Sequence, residues 1–234
     1  LADGIRVTIT NSETVGADGG LTVLSDGTAT LTDGEDFTAG GFIGESVASV
    51  VETSHVKNVK SVAAKHSDKK SSYAGGFVGR SHTGGLAGLA QEDEDGKLKL
   101  PGILEVDSLL SLVPYLLPKY TNTTVTFLSN GEKPQVEGTL AGGYAGAMQS
   151  GKVDNHTSAE AYAVFGLEKV KGESHAGGFA GKIDAGATAS SDGLNLLGGI
   201  LNLDIGQLLN VLEVYIPVIQ SAGVKSAEKG FTVE

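Results

Sequence analysis

The chain has 234 residues, 40% of them hydrophobic, which is enough for one or two domains with a core and excludes a disordered tail. A net charge of −11, with Arg6 and Arg80 the only arginines, argues against a nucleic-acid binder and against a basic membrane-surface helix. The absence of cysteine excludes disulfides and thiolate metal sites, and 35 glycines oppose a helical bundle.

No apolar run reaches the roughly 20 residues of a membrane-spanning helix. Leu1-Ala2-Asp3-Gly4 does not read as the start of a signal peptide, and with no initiator Met the chain reads as a piece of a longer protein.

In chain order, Ile5–Thr10 alternates apolar and polar residues and predicts a half-buried strand. Leu21–Leu24 and Thr28–Thr32 predict two more strands. Turns are expected at Ala17–Gly20, Ser25–Gly27 and Asp33-Gly34.

Next comes a short phrase that occurs four times: Ala39-Gly40-Gly41-Phe42-Ile43-Gly44, Ala74-Gly75-Gly76-Phe77-Val78-Gly79, Ala141-Gly142-Gly143-Tyr144-Ala145-Gly146 and Ala176-Gly177-Gly178-Phe179-Ala180-Gly181. The copies within each pair are 35 residues apart and the pairs are offset by 102, which marks a tandem repeat. Residues 39–79 and 141–181 align without a gap, placing Val51 with Val153, Val62 with Val164, Lys69 with Lys171 and Ser72 with Ser174.

Read as one strand, the phrase puts Gly40, Phe42 and Gly44 on one face and Ala39, Gly41 and Ile43 on the other. Both faces are small or apolar, so a strand covered on both sides is expected. Phe42, Phe77, Tyr144 and Phe179 are expected to form a structural ladder from coil to coil.

A second feature follows each pair. Leu100–Asp107 resembles Leu197–Asp204, and each leads into apolar residues at helical spacing: Leu109, Leu112, Val113 and Leu116, then Leu208, Leu212 and Tyr215. Short inserted amphipathic helices are expected there, with Asp107 and Asp204 as N-caps and Pro114, Pro118 and Pro217 limiting their length. A strand is expected at Thr123–Phe127. The organisation is then leading strands over 1–37, repeat unit one over 38–139 and repeat unit two over 140–234. Gly230–Glu234 opens a third set of strands.

No residue constellation nominates a chemistry. The phrase lacks the Gly-x-Gly-x-x-Gly spacing of a dinucleotide loop. His55, His66, His82, His156 and His175 fall in no metal-ligand spacing and read as surface or turn residues, although His82 and His175 sit near strand ends where an acidic group could meet them. Asp93 and Asp95, in the acidic run Gln91–Lys97, are weak calcium candidates. The EF-hand pattern fails at Gln91 and Gly102, so a solvated loop is the competing reading, and Asp33–Asp36 is a weaker case of the same kind.

No Gly-x-Ser-x-Gly elbow is present and no carboxylate pair stands out for glycoside hydrolysis. The Thr-x-Thr steps at Thr8, Thr10, Thr28, Thr30, Thr32, Thr124 and Thr126 fit ordinary β-propensity. Asn122-Thr123-Thr124 and Asn155-His156-Thr157 match glycosylation sequons, which carry little weight if the source is bacterial.

The paired Gly-Gly-Phe-Val-Gly phrases, joined by a stretch rich in Val, Ser and Asn, resemble the GLUG-type repeats of large bacterial cell-surface, adhesin-like proteins. The resemblance covers residues 38–82 and 140–186, and Tyr144 and Ala145 depart mildly from it. It implies β-solenoid architecture, an extracellular or cell-wall location, and a structural or adhesive role without catalytic residues. It also implies a host or cell-surface protein or a glycan as partner, besides neighbouring repeats.

The expectation is therefore a mainly β fold, a right-handed parallel β-solenoid or β-helix with short helices on one side. Its role is expected to be structural, with no enzyme activity, no cofactor, no nucleic-acid partner, no membrane insertion, and open ends that favour self-association. The competing reading is a carbohydrate-binding or carbohydrate-active β-helix module. It would use Tyr73, Tyr115 and Tyr120 as exposed aromatics, against which stand the partial burial that is the favoured reading for each, 6% aromatic content and no Trp.

Overall fold

The computed structural model describes residues 7–27, 36–66, 71–83, 91–92, 98–99, 117–131, 133–156, 161–184 and 217–234. These residues form strands joined by turns and contain no helix. The two stretches expected to form inserted helices, around 107–116 and 204–216, lie outside the described residues, as do Thr28–Thr32, Asp33-Gly34, Asp93 and Asp95.

The strands are β1 (Thr8–Thr10), β2 (Glu13–Val15), β3 (Leu21–Gly27), β4 (Phe37–Gly40), β5 (Ile43–Val47), β6 (Val50–His66), β7 (Ser72–Gly75), β8 (Val78–His82), β9 (Gln91–Glu92) and β10 (Leu98–Lys99). They continue with β11 (Lys119–Phe127), β12 (Val136–Gly142), β13 (Ala145–Gln149), β14 (Lys152–Asp154), β15 (Tyr162–Leu167), β16 (Lys169–Gly177), β17 (Ala180–Asp184), β18 (Val218–Gln220), β19 (Gly223–Ser226) and β20 (Thr232–Val233). Every described pairing is parallel except the short β9–β10 ladder.

The register defines layers. Strands β1–β5 form the first, β6–β8 the second, β11–β13 the third, β14–β17 the fourth and β18–β20 the fifth, each pairing with the one before it. Columns of equivalent residues cross all five. One runs Val23, Val62, Val136, Val170, Val233 and another Ile9, Val51, Tyr120, Val153, Ile219. Parallel strands buried between neighbours favour such β-branched runs. Val51, Val62, Tyr120, Val136, Val153 and Val170 are fully buried members of one core cluster.

Three expectations are corrected. The phrase is not one strand: it breaks at Gly41-Phe42 and its equivalents. Its first half belongs to the sheet β4–β7–β12–β16 and its second to the sheet β5–β8–β13–β17. Ser25–Gly27 is not a turn, because it pairs with Ala64–His66 and the neighbouring strand overrides local turn preference. The gapless alignment is not the register either. Val51 and Val153 do share a column, but Val62 shares one with Val170, while Val164 stands opposite Val125. Val153 to Val170 is six residues longer than Val51 to Val62, and Val170 to Ala176 is six shorter than Val62 to Ala74, so the spacing between phrases stays constant.

Corners are built from left-handed backbone. Asn11, Thr53, Asn122 and Ser221 occupy equivalent positions with φ of 49°, 48°, 51° and 50°. Asn suits this conformation; Thr, being β-branched, does not. In the fourth layer the equivalent residue is Asn155, whose buried side-chain amide donates to the Thr123 carbonyl at 2.7 Å and accepts from the Thr123 N–H at 2.9 Å.

Candidate functional site: the aromatic stack and the charged face beside it

Phe42, Phe77, Tyr144 and Phe179 lie in one stack, with successive ring centroids 4.9, 5.1 and 5.0 Å apart and interplanar angles of 21°, 4° and 4°. The spacing is that of adjacent strands, so each ring sits on its equivalent in the next layer. Phe77 and Tyr144 are fully buried, whereas Phe42 and Phe179, at the two ends, are half-buried.

The glycines of the phrase are dictated by neighbouring layers, and none of them has a positive φ. A Cβ on Gly76 would lie 2.5 Å from Phe127 Cζ and closer still to the Gly143 carbonyl oxygen of the next layer. A Cβ on Gly79 would lie 2.5 Å from the Gly44 oxygen and 2.8 Å from the Ala39 nitrogen of the preceding layer. The two sheets of the phrase therefore meet almost backbone to backbone, far closer than the usual ~10 Å between packed sheets.

Tyr120 enters this interior edge-on to both Phe77 and Tyr144. Its hydroxyl is hydrogen-bonded to Ser46 Oγ at 2.8 Å and to Ser81 Oγ at 2.7 Å, both buried. Tyr144 Oη lies 2.7 Å from Thr123 Oγ1. Burial pushes both phenols above the usual tyrosine range; the hydroxyl bonds oppose the shift. Gln135, also fully buried, ties the third layer to the fourth: its amide donates to the Leu128 carbonyl at 2.7 Å and accepts from the Glu168 N–H at 2.6 Å.

Outside the stack, Arg80 bonds Asp36 at 2.6 Å, approaches Glu45 at 3.9 Å and lies over the Tyr73 ring at 5.0 Å. His82 Nε2 is 3.0 Å from Glu45. His55 Nδ1 contacts Thr124 Oγ1 at 2.8 Å, and burial followed by the nearby Lys57 charge lowers its pKa against the opposing pull of Glu13. Asp154 bonds Lys152 and His156, each at 2.9 Å, and is held well below the usual carboxylate range by the Lys152 bond first and the His156 bond second. Glu137 bridges Lys65 at 2.7 Å and Lys171 at 3.2 Å. These lysines outweigh the burial that would raise its pKa, and the net shift is downward.

These groups neutralise one another, and they do not converge on a reacting centre. Ser174 Oγ and His175 Nδ1 lie 2.7 Å apart on an exposed strand, but no described carboxylate pairs with His175. Among the described residues no group of three or more His, Asp or Glu could hold a metal ion.

Of the aromatics considered for a sugar platform, Tyr120 is buried, which removes it. Tyr73 is half-buried under Arg80, and Tyr115 lies outside the described residues. Sequence reasoning missed the Tyr120–Ser46–Ser81 network, although Ser46 and Ser81 stand at the same offset from their phrases. No family model, no curated protein and no solved structure matches this chain.

Proposed function

We propose that this chain is a segment of a right-handed parallel β-solenoid in a large extracellular bacterial surface protein of the GLUG-repeat kind, and that it works as a structural spacer in a stalk or adhesive region. The observation that carries the reading is the evenly spaced ring stack, which makes each layer a copy of the last in cross-section. A structure of that kind lengthens by adding layers and leaves its width unchanged. The excess of acidic residues keeps such an array soluble and repels anionic surfaces. The paired side chains of the outer face, described above, suit a spacer better than a catalyst.

Duplicating residues 83–184 tests this. The insert is one 102-residue period and adds two layers, so small-angle scattering should show the longest dimension growing by about 10 Å with an unchanged cross-section. Growth in the cross-section would sink the proposal. Saturable binding of a soluble polysaccharide to the unmodified chain would favour the carbohydrate-binding reading instead.

A further inference from the structure

Asn130-Gly131 is the only Asn-Gly pair in the sequence, and it lies in the turn between β11 and β12. The side-chain amide of an asparagine can be attacked by the backbone nitrogen of the next residue, which closes a succinimide ring and expels ammonia. The attack is favoured where the next residue is Gly, which has no Cβ to crowd the ring, and where its N–H is not committed to a hydrogen bond.

The other described asparagines fail one or both conditions. The N–H after Asn11, that of Ser12, donates to Ser54 Oγ at 3.3 Å. The N–H after Asn122, that of Thr123, donates to Asn155 Oδ1 at 2.9 Å, and the N–H after Asn155, that of His156, donates to Asp154 Oδ1 at 3.2 Å. Asn58 precedes Val59, which is β-branched and fully buried.

Gly131 differs in each respect. It is exposed, its φ is 67°, and a Cβ built on it would meet nothing within 4 Å. Among the described residues nothing accepts its N–H. Asn130 is half-buried and held in place: its N–H donates to Glu168 Oε2 and its Nδ2 to the Pro134 carbonyl, each at 3.2 Å.

We propose that Asn130 is a site of self-modification, which converts in the folded chain to aspartate and isoaspartate. The Gly131 nitrogen gives its proton to solvent hydroxide and bonds Asn130 Cγ. The Cγ–Nδ2 bond breaks, and Nδ2 leaves as ammonia with a proton from water. Water then opens the ring. Attack at Cγ gives aspartate, and attack at the main-chain carbonyl gives isoaspartate, in which the backbone runs through Cγ.

The consequence reaches the joint between the third and fourth layers. The amide that donated to Pro134 becomes a carboxylate facing a carbonyl oxygen, and it arrives beside the Glu168 carboxylate. Facing acceptors and like charges repel. Both neighbours adjoin the buried Gln135 bridge, since Gln135 follows Pro134 and accepts from the Glu168 N–H. The modification therefore loosens this joint, slowly and in one direction. The inference rests on one turn and not on the spacer reading, so either can fail alone.

The test ages the 234-residue chain in mildly alkaline buffer. Fragment mass spectra locate the lost amide, and enzymatic methylation detects isoaspartate. Acid at position 130 is expected to appear at least tenfold faster than at Asn11, Asn58, Asn122 or Asn155, with isoaspartate among the products. The converted chain should melt about 2–4 °C lower, the shift that a modest local loss produces in a chain of this length. Asn130→Gln, whose longer side chain closes a ring far more slowly, should keep its melting temperature through the same ageing. The proposal is overturned if the folded chain keeps the Asn130 amide while the urea-unfolded chain loses it, or if the other described asparagines convert as fast. Full conversion with an unchanged melting temperature would overturn the link to the Gln135 bridge.

Discussion

The hydroxyl of Tyr120, in the third layer, is hydrogen-bonded to Ser81, in the second, at 2.7 Å in a fully buried setting. With Ser46 of the first layer it forms a polar link across three layers of an otherwise apolar interior. Replacing Tyr120 by Phe keeps the edge-on ring contacts and leaves two buried serines short of a partner. The expected loss is about 1–3 kcal/mol of unfolding free energy, read by urea denaturation. Adding Ser46→Ala and Ser81→Ala should recover part of it, and a triple variant no better than Tyr120→Phe would contradict the account.

The glycines of the phrase should differ in tolerance according to their layer. Gly76→Ala drives a methyl group into the Gly143 carbonyl and Phe127, and is expected to cost about 3 kcal/mol or to prevent folding. Gly44→Ala meets only Thr38, its Oγ1 at 3.3 Å and its carbonyl oxygen at 3.7 Å, and should stay within about 1 kcal/mol. Thermal melts of the two variants decide this, and equal losses would show that the close approach of layers is not what fixes these positions.

Thr53 holds a left-handed conformation, φ 48°, on an exposed corner. Thr53→Asn should stabilise the fold by about 0.5–1 kcal/mol, since a β-branched residue there carries part of the left-handed penalty of roughly 1–2 kcal/mol. A destabilised Thr53→Asn variant would mean that the corner strain is relieved elsewhere.

Acid should unfold the chain partly through Asp154 and Glu137. Both carboxyls have folded pKa values below their unfolded ones, so their contribution is complete above the unfolded carboxylate pKa of about 4 and disappears as pH falls through the folded values. Asp154→Asn should flatten the fall in melting temperature below that pH. An unchanged slope would remove Asp154 from the account.

His55 acts in a higher window. Its folded pKa lies below the ordinary histidine value of about 6.5, so the unfolded chain takes up its proton first. Its contribution is present above pH ~6.5 and declines below it. Proton NMR of the His55 ring should place its midpoint below those of free histidine, and a midpoint above 6.5 would show Glu13 outweighing burial and Lys57.

What the sequence disclosed was what is written locally. Alternation predicted strands where β1, β3 and β11 lie, and the repeated phrase located all four rings of the stack. The break inside the phrase was invisible because it follows from contacts between layers: Gly76 meets Gly143, and Gly79 meets Gly44, partners far off in the chain. Ser25–Gly27 looked like a turn and became strand because β6 lies alongside. Tyr120 read as partly buried, with a groove aromatic as the competing reading, because nothing in its neighbourhood announces Ser46 and Ser81. Equal spacing between phrases concealed an unequal placement of residues within the layers, so Val62 was matched to Val164 when its column partner is Val170.

At the bend of each phrase, three successive amide groups point the same way along the stack, from Gly41, Phe42 and Ile43 toward the second layer through to Gly143, Tyr144 and Ala145 toward the fourth. Strand amides alternate in direction and largely cancel, but these add. Each peptide unit carries a moment of about 3.5 D, so the column of bends is a wire of aligned dipoles, positive at the Phe179 end and negative at the Phe42 end. The stack consequently has an electrical direction as well as a geometric one.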